Sequence, residues 1–301
     1  MKTVEQRQSR RGRGPGRSTK KRLIIPLFIP HAGCVHQCVF CNQTGITGRD
    51  SLPSVAEVRE TITTYLATWK GEGPREVAFY GGSFTGLDVS LQRRLLGAVY
   101  PFIAAGEIDA VRVSTRPDMI SRDGVELLKE YSVKTVELGV QSMDDGVLRQ
   151  SGRGHSANDT VRAVGVLEQA GMATGLQMMP GLPGDRSETI LATAGEMVRL
   201  GPAFVRIYPT LVVRGTPLET MYGRGDYRPW SLEAMRLVCV KVMSIFKEAD
   251  IPVIRVGLQP TAELEASIVA GPYHPAFRQL LDASGERPGR QPSLRAAASG
   301  E

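Results

Sequence analysis

The sequence predicts an α/β fold: a partial, TIM-like barrel of (β/α)6 type, with a parallel sheet and helices packed outside it. Three observations predict it. Short β-branched runs alternate strictly with helical segments, which is the pattern of a parallel sheet with crossover helices. The repeats number about six, short of a closed eightfold barrel. Nearly every predicted strand hands over to a polar or glycine-rich segment, as in folds whose chemistry gathers at the C-terminal strand ends.

The elements run as follows. Leu23–Ile29 is an apolar run of strand length, and Val55–Trp69 is the first helix. Strand Glu76–Tyr80 precedes helix Leu91–Tyr100, and strand Ala110–Ser114 precedes helix Arg122–Glu130. Strand Lys134–Val140 leads to helix Asn158–Gln169, and strand Thr174–Met179 to helix Glu188–Leu200. Strand Phe204–Tyr208, helix Leu232–Ala249 and strand Pro252–Val256 close the series. Asp159 and Ser187 stand where N-caps or first-turn residues fall, and Gly171 and Gly201 stand where helices stop. With no internal repeat and no interior linker, residues 23–282 read as one domain. Tails at 1–22 and 283–301 read as disordered, because both are rich in Gly, Ser and Arg or Ala and carry no apolar period.

At 42% hydrophobic and 23% charged, the 301 residues can bury a sizeable core. No apolar run approaches the roughly 18 residues of a membrane span. The N-terminus is basic, yet Leu23–Ile29 is too short for a signal peptide and is broken by Pro26. The net charge of +6 divides unevenly. Nine basic residues and one acid fall in 1–22, a local +8, and the rest of the chain carries −2. The segment suits contact with RNA phosphates, and equally a solvated, silent tail.

Four cysteines in a chain this long do not make a disulfide scaffold. Cys34, Cys38 and Cys41 fall within eight residues, the layout of a metal site in a reducing compartment, so a cytoplasmic location is expected. Thiolates suit zinc or iron–sulfur. Cys239 sits inside a predicted helix and reads as a buried apolar residue. Two arrangements therefore stay open: a Cys3His zinc site completed by His31 or His36, and a [4Fe–4S] cluster held through three irons with the fourth open.

The loop Pro30-His31-Ala32-Gly33-Cys34-Val35-His36-Gln37-Cys38-Val39-Phe40-Cys41-Asn42 resembles the radical S-adenosylmethionine (SAM) superfamily, with its C-x3-C-x-aromatic-C hallmark. The finer resemblance is to the radical domain of the Elongator catalytic subunit and its bacterial relatives. It is carried by Phe79–Thr85, Ser114-Thr115-Arg116-Pro117-Asp118, Glu137–Ser142, Met179–Gly184, Ile207–Leu211 with Arg214-Gly215-Thr216, and Gly271–Phe277, in that order along the chain. The resemblance implies that Cys34, Cys38 and Cys41 ligate the cluster and that SAM occupies the open iron. It implies Phe40 against the adenine, and Gly81, Gly82 and Ser83 as a turn admitting the methionyl amino group. Gln141 and Gln177 would bond the nucleoside, and Arg153 the carboxylate.

The chain also departs from the pattern. Ser83 and Ser114 stand where relatives carry Glu, and the second change predicts weaker ribose binding. Nothing after residue 285 resembles an acetyltransferase. The implied chemistry is reductive cleavage of SAM to methionine and a 5′-deoxyadenosyl radical, fed by an electron donor of flavodoxin or ferredoxin type. Tyr208, Arg214, Arg255 and Gln259 are candidates to face the substrate. Three functions stay open: a radical enzyme on tRNA, one on a small molecule like the oxygen-independent coproporphyrinogen dehydrogenases, and a non-catalytic zinc module that binds RNA.

Overall fold

The computed structural model describes residues 21–43 and 51–285. In chain order the strands are β1 (Leu23–Ile29), β2 (Arg75–Gly81), β3 (Ala110–Thr115), β4 (Val133–Gln141), β5 (Ala173–Met178), β6 (Phe204–Ile207), β7 (Val212–Val213), β8 (Val253–Val256) and β9 (Ile268–Ala270). All but β7 and β9 form one parallel sheet in the order β1-β2-β3-β4-β5-β6-β8. This is a curled half-barrel whose edges are β1 and β8. β7 and β9 pair antiparallel beside it.

The helices are α1 (Val55–Thr68), α2 (Val89–Ala104), α3 (Arg122–Glu130), α4 (Asp145–Gln150), α5 (Ala157–Gln169), α6 (Ser187–Leu200), α7 (Pro217–Arg224), α8 (Leu232–Glu248), α9 (Ala262–Ser267) and α10 (Phe277–Gly285). Six of them, α1, α2, α3, α5, α6 and α8, are the crossovers between neighbouring strands. Ser54 starts α1 with a reciprocal capping box: its Oγ accepts from the Glu57 N–H and its own N–H donates to the Glu57 carboxylate. Ser156 caps α5, which makes Asp159 a first-turn residue. Gly201 ends α6 at φ 64°, in the left-handed region.

Every predicted strand and crossover helix is present, within a few residues. Arg22, assigned to the basic tail, pairs with Glu76 at 3.0 Å, because Leu23 N–H already bonds the Pro74 carbonyl and brings the β1 entry beside β2. At the other end, Phe277 and Leu281 are buried and anchor α10, so the helix runs to 285, beyond the predicted limit of 282. The rest of both predicted tails, 1–20 and 286–301, lies outside the described residues.

The strands have two unlike faces. Outward, Ile25, Leu27, Val77, Phe79, Val111, Val113, Val136, Leu138, Val205 and Ile207 form a dry core with the helices. Inward, the register aligns Pro26, Ala78, Arg112 and Thr135 in one row. Ser114, Glu137, Gly175 and Phe204 form the next row, and Gly139, Gln177, Arg206 and Arg255 the row nearest the C-terminal ends. A sheet buried on both faces reads as continuous apolar runs. The charged inner rows mark this one as open to polar contents.

Candidate functional site: a cysteine loop clamped at the barrel mouth

The three cysteines follow β1 at the C-terminal edge of the sheet, and three neighbouring segments grip their loop. The turn after β2 is the tightest. Gly82 N–H donates to the Ile29 carbonyl at 2.9 Å and Ser83 N–H to the Ala32 carbonyl at 2.8 Å. A Cβ on Gly82 would lie 2.1 Å from the Ala32 oxygen, and one on Gly33 would lie 2.1 Å from the Ser83 oxygen. Only glycine permits this approach. Gly81 precedes the turn at φ 99°. Beyond α4, the Ser151 carbonyl accepts from Val39 N–H at 3.0 Å. The segment after β7 and the first turn of α7 supply the third grip: Leu218 N–H donates to the Val39 carbonyl at 2.8 Å, and Asn42 Nδ2 to the Arg214 carbonyl at 2.7 Å. The loop is closed on itself by Gln43, whose Oε1 accepts from His31 N–H and whose N–H donates to His31 Nε2.

Four of the predicted ligand residues meet on one side of this loop. Arg153 is buried, with Nη1 3.1 Å from Cys38 Sγ, Nη2 donating to the Gly139 carbonyl at 2.5 Å and Nε donating to His155 Nε2 at 3.2 Å. His155 is therefore protonated on Nδ1, which faces the Ser156 carbonyl. Its pKa is pushed down to about 4, first by burial and then by the Arg153 charge, so the ring is neutral. Gln141, at φ 68°, lies beside Gly139, and its Oε1 accepts from Gln177 Nε2 at 3.2 Å.

The other predicted residues are placed differently. Ser83 is fully buried, and its Oγ accepts from the Arg116 N–H at 3.0 Å. Ser114 is half-buried beside Glu137 in the strand register. Phe40 packs against the small apolar cluster of Val212, Leu218 and Tyr227. Among the substrate candidates, Arg255 reaches Gln259 at 2.8 Å, and Tyr208 receives Arg206 at 3.3 Å. A cleft of about 600 Å³ lies between Gln37 of the cysteine loop and residues 215–224. The larger cavity, about 800 Å³ between α8, β8 and α10, shares no residue with the cysteine loop.

Sequence reasoning passed over two groups. One is the interior ion network. Arg112 bonds Glu76 at 2.7 Å and Glu137 at 2.8 Å, and Arg206 meets Glu137 at 2.7 Å and the Tyr80 hydroxyl at 3.0 Å. The signal was available: a lone charge alternating with valines, as in Val111-Arg112-Val113, points to the face opposite the dry core. The second group is Arg116 with Asp118, which stand in the Ser114–Asp118 segment that carries the resemblance but received no role from it.

The donor set fits an iron–sulfur cluster. Burial, and then the nearby Cys38 and Cys34, pushes Cys41 up to about 12; burial and then Cys38 raise Cys34. Thiols this costly to ionise singly become thiolates together when a cationic centre covers them. Among the described residues, no three His, Cys, Asp or Glu side chains are gathered as around a single ion, and cluster ligands, each on its own iron, need no such convergence. His31 Nε2 is engaged with Gln43. Cys239, buried in α8, stands apart from the loop.

Residues 28–197 match the radical SAM superfamily model, and residues 202–287 match the radical SAM C-terminal domain. The chain is 26% identical to the tRNA uridine(34) acetyltransferase of Dehalococcoides mccartyi, over 65% of this chain and 50% of that protein. It is 30% identical to Elongator complex protein 3 of Saccharomyces cerevisiae, over 45% of this chain and 25% of that one. The matches thus span from a quarter to a half of these relatives. Among solved structures, the archaeal Methanocaldococcus infernus Elp3 superimposes with a TM-score of 0.67 at 23% identity, covering 88% of this chain and 64% of that one, which shows a shared fold. No helix among the described residues is long and apolar enough to cross a membrane. With more than half of its length inside the family model and the cysteine loop seated at the mouth of a half-barrel, the chain is an enzyme of the radical SAM superfamily.

Proposed function

We propose that Cys34, Cys38 and Cys41 hold a [4Fe–4S] cluster, that SAM binds its open iron, and that the substrate is a nucleoside of tRNA. When bound, the cluster supplies the electron that splits the SAM sulfonium and yields a 5′-deoxyadenosyl radical for hydrogen abstraction. The chain's own residues bind, orient and exclude water. The contact that carries this reading is Arg153 Nη1 at 3.1 Å from Cys38 Sγ, with Gln141 and Gln177 bonded together beside the same guanidinium. These amides offer both donors and acceptors to a nucleoside. Arg112, Glu137, Arg206 and Tyr80 hold one another in a hydrogen-bonded polar surface on the inner face of the sheet, which would orient a polar substrate there.

The similarity to tRNA-modifying proteins supports the tRNA substrate. So does the +8 charge of residues 1–22, which lie mostly outside the described residues. A flavodoxin- or ferredoxin-type donor and a cytoplasmic location complete the proposal. Iron and acid-labile sulfide analysis of the anaerobically purified chain tests it. The wild type should carry four irons in a brown chromophore, and Cys34→Ala, Cys38→Ala and Cys41→Ala should each lose it. Zinc in place of iron would overturn the assignment. Removal of residues 1–20 should weaken tRNA binding and flatten its salt dependence, since the slope counts displaced counterions. Equal binding and equal slopes would separate the tail from the substrate.

A further inference from the structure

The segment Arg116-Pro117-Asp118 after β3 takes no part in the function described so far, yet it braces Arg153, which contacts the cysteine loop. Arg116 is 3% exposed. Its Nε and Nη2 each donate to the Asp118 carboxylate at 3.0 Å, and Nη2 also donates to the Arg153 carbonyl. Arg153 in turn points its guanidinium at Cys38 Sγ. The remaining nitrogen, Arg116 Nη1, is buried and has no partner among the described residues. Leaving a charged donor buried without an acceptor is expensive, so a site that keeps one there is built for an anion.

The local charges do not cancel. Arg116 and Arg153 contribute two positive charges, Asp118 one negative, and His155 is neutral. A [4Fe–4S] core of charge +2 on three thiolates carries −1, and one added electron makes it −2. A fixed surplus positive charge beside it stabilises both states and the second more, so it favours the added electron.

Resting on the cluster reading above, we propose that Arg116 is a positioning and charge-compensating residue. Gripped by Asp118, it holds the Arg153 backbone in place and sets a buried positive charge beside the cysteine loop, which favours one-electron reduction of the cluster. It touches neither substrate nor the bond that breaks.

The test is an anaerobic potentiometric titration of the reconstituted full chain, followed by the electron paramagnetic resonance of the reduced cluster. It compares wild type with Arg116→Gln, Arg116→Lys and Asp118→Asn. Arg116→Gln should lower the reduced-to-oxidised ratio at a fixed potential about tenfold, a shift of about 59 mV for a one-electron couple. Arg116→Lys should keep most of the wild-type potential, and Asp118→Asn should shift it the opposite way. If Arg116→Gln does not load, the Lys and Asn variants still decide the matter, since a structural prop alone predicts no rise in Asp118→Asn. Identical potentials in every loaded variant, or a fall in Asp118→Asn, would overturn the inference alone. A wild type that takes up no four-iron cluster would overturn the parent reading, and this inference with it.

Discussion

The two sides of the cysteine loop are built on different principles. On the β2 side the contact is backbone on backbone: Gly82 and Ser83 bond the Ile29 and Ala32 carbonyls, and no side chain fits between. On the β3 and β4 side one backbone bond, Val39 N–H to the Ser151 carbonyl, is joined by charge on sulfur: Arg153 reaches Cys38, and Arg116 braces Arg153. The first side fixes the shape of the loop by excluding volume. The second fixes its electrostatics while leaving room for variation in shape. Substitutions on the two sides should therefore fail in different ways.

The largest effect is expected on the β2 side. Gly82→Val would drive a branched side chain into the Ala32 backbone, at an overpacking cost of about 3 kcal/mol, and should displace the cysteines enough to abolish cluster loading. Thermal unfolding and iron content measure the two losses. A folded Gly82→Val protein with full iron would mean that the turn does not set the loop.

The charged side should show itself as pH dependence. His155 has a folded pKa near 4, below its ordinary 6.5, so the unfolded chain binds more protons between these values and stability rises with pH there. Acidification from about 6.5 to 4 should cost up to about 3 kcal/mol, the order set by 1.36 kcal/mol per pKa unit. In denaturant titrations His155→Gln should flatten this slope, and an unchanged slope would place the acid sensitivity elsewhere.

Ser83 belongs to both sides, because its backbone bonds Ala32 while its hydroxyl accepts from Arg116 N–H. Ser83→Ala should cost about 1–2 kcal/mol through that stranded donor and leave the loop's shape intact. Loss of iron in this variant would contradict the division. The smallest effect is expected far from the loop: Cys239→Ala removes one buried atom, costing about 1 kcal/mol, with no change in iron.

Much of the fold was legible because seven strands and six crossover helices each carry a period long enough to read. The β7–β9 pair was not, since strands of two and three residues have no period, and α4, α7 and α9 are too short for an apolar stripe. In the site, the cysteine spacing was legible as a metal-binding layout, whereas Gln141 and Gln177, at the ends of β4 and β5, and Arg153, after α4, were legible only through the family resemblance. What the sequence hides is direction. Ser83 turns inward to Arg116 instead of outward, and Phe40 packs on Val212 and Leu218. The reach of Arg116 to the carbonyl of Arg153, 37 positions on, is a property of the assembled sheet alone.

The central claim is that the clamped loop brings a reducible cluster and SAM together at the barrel mouth. The most direct measurement is an anaerobic assay for 5′-deoxyadenosine with reconstituted protein, SAM and dithionite, repeated with total tRNA. The account predicts 5′-deoxyadenosine and methionine in equal amounts from wild type, none from Cys38→Ala, and a faster yield with tRNA. A four-iron protein that binds SAM and forms no 5′-deoxyadenosine under reduction would contradict it.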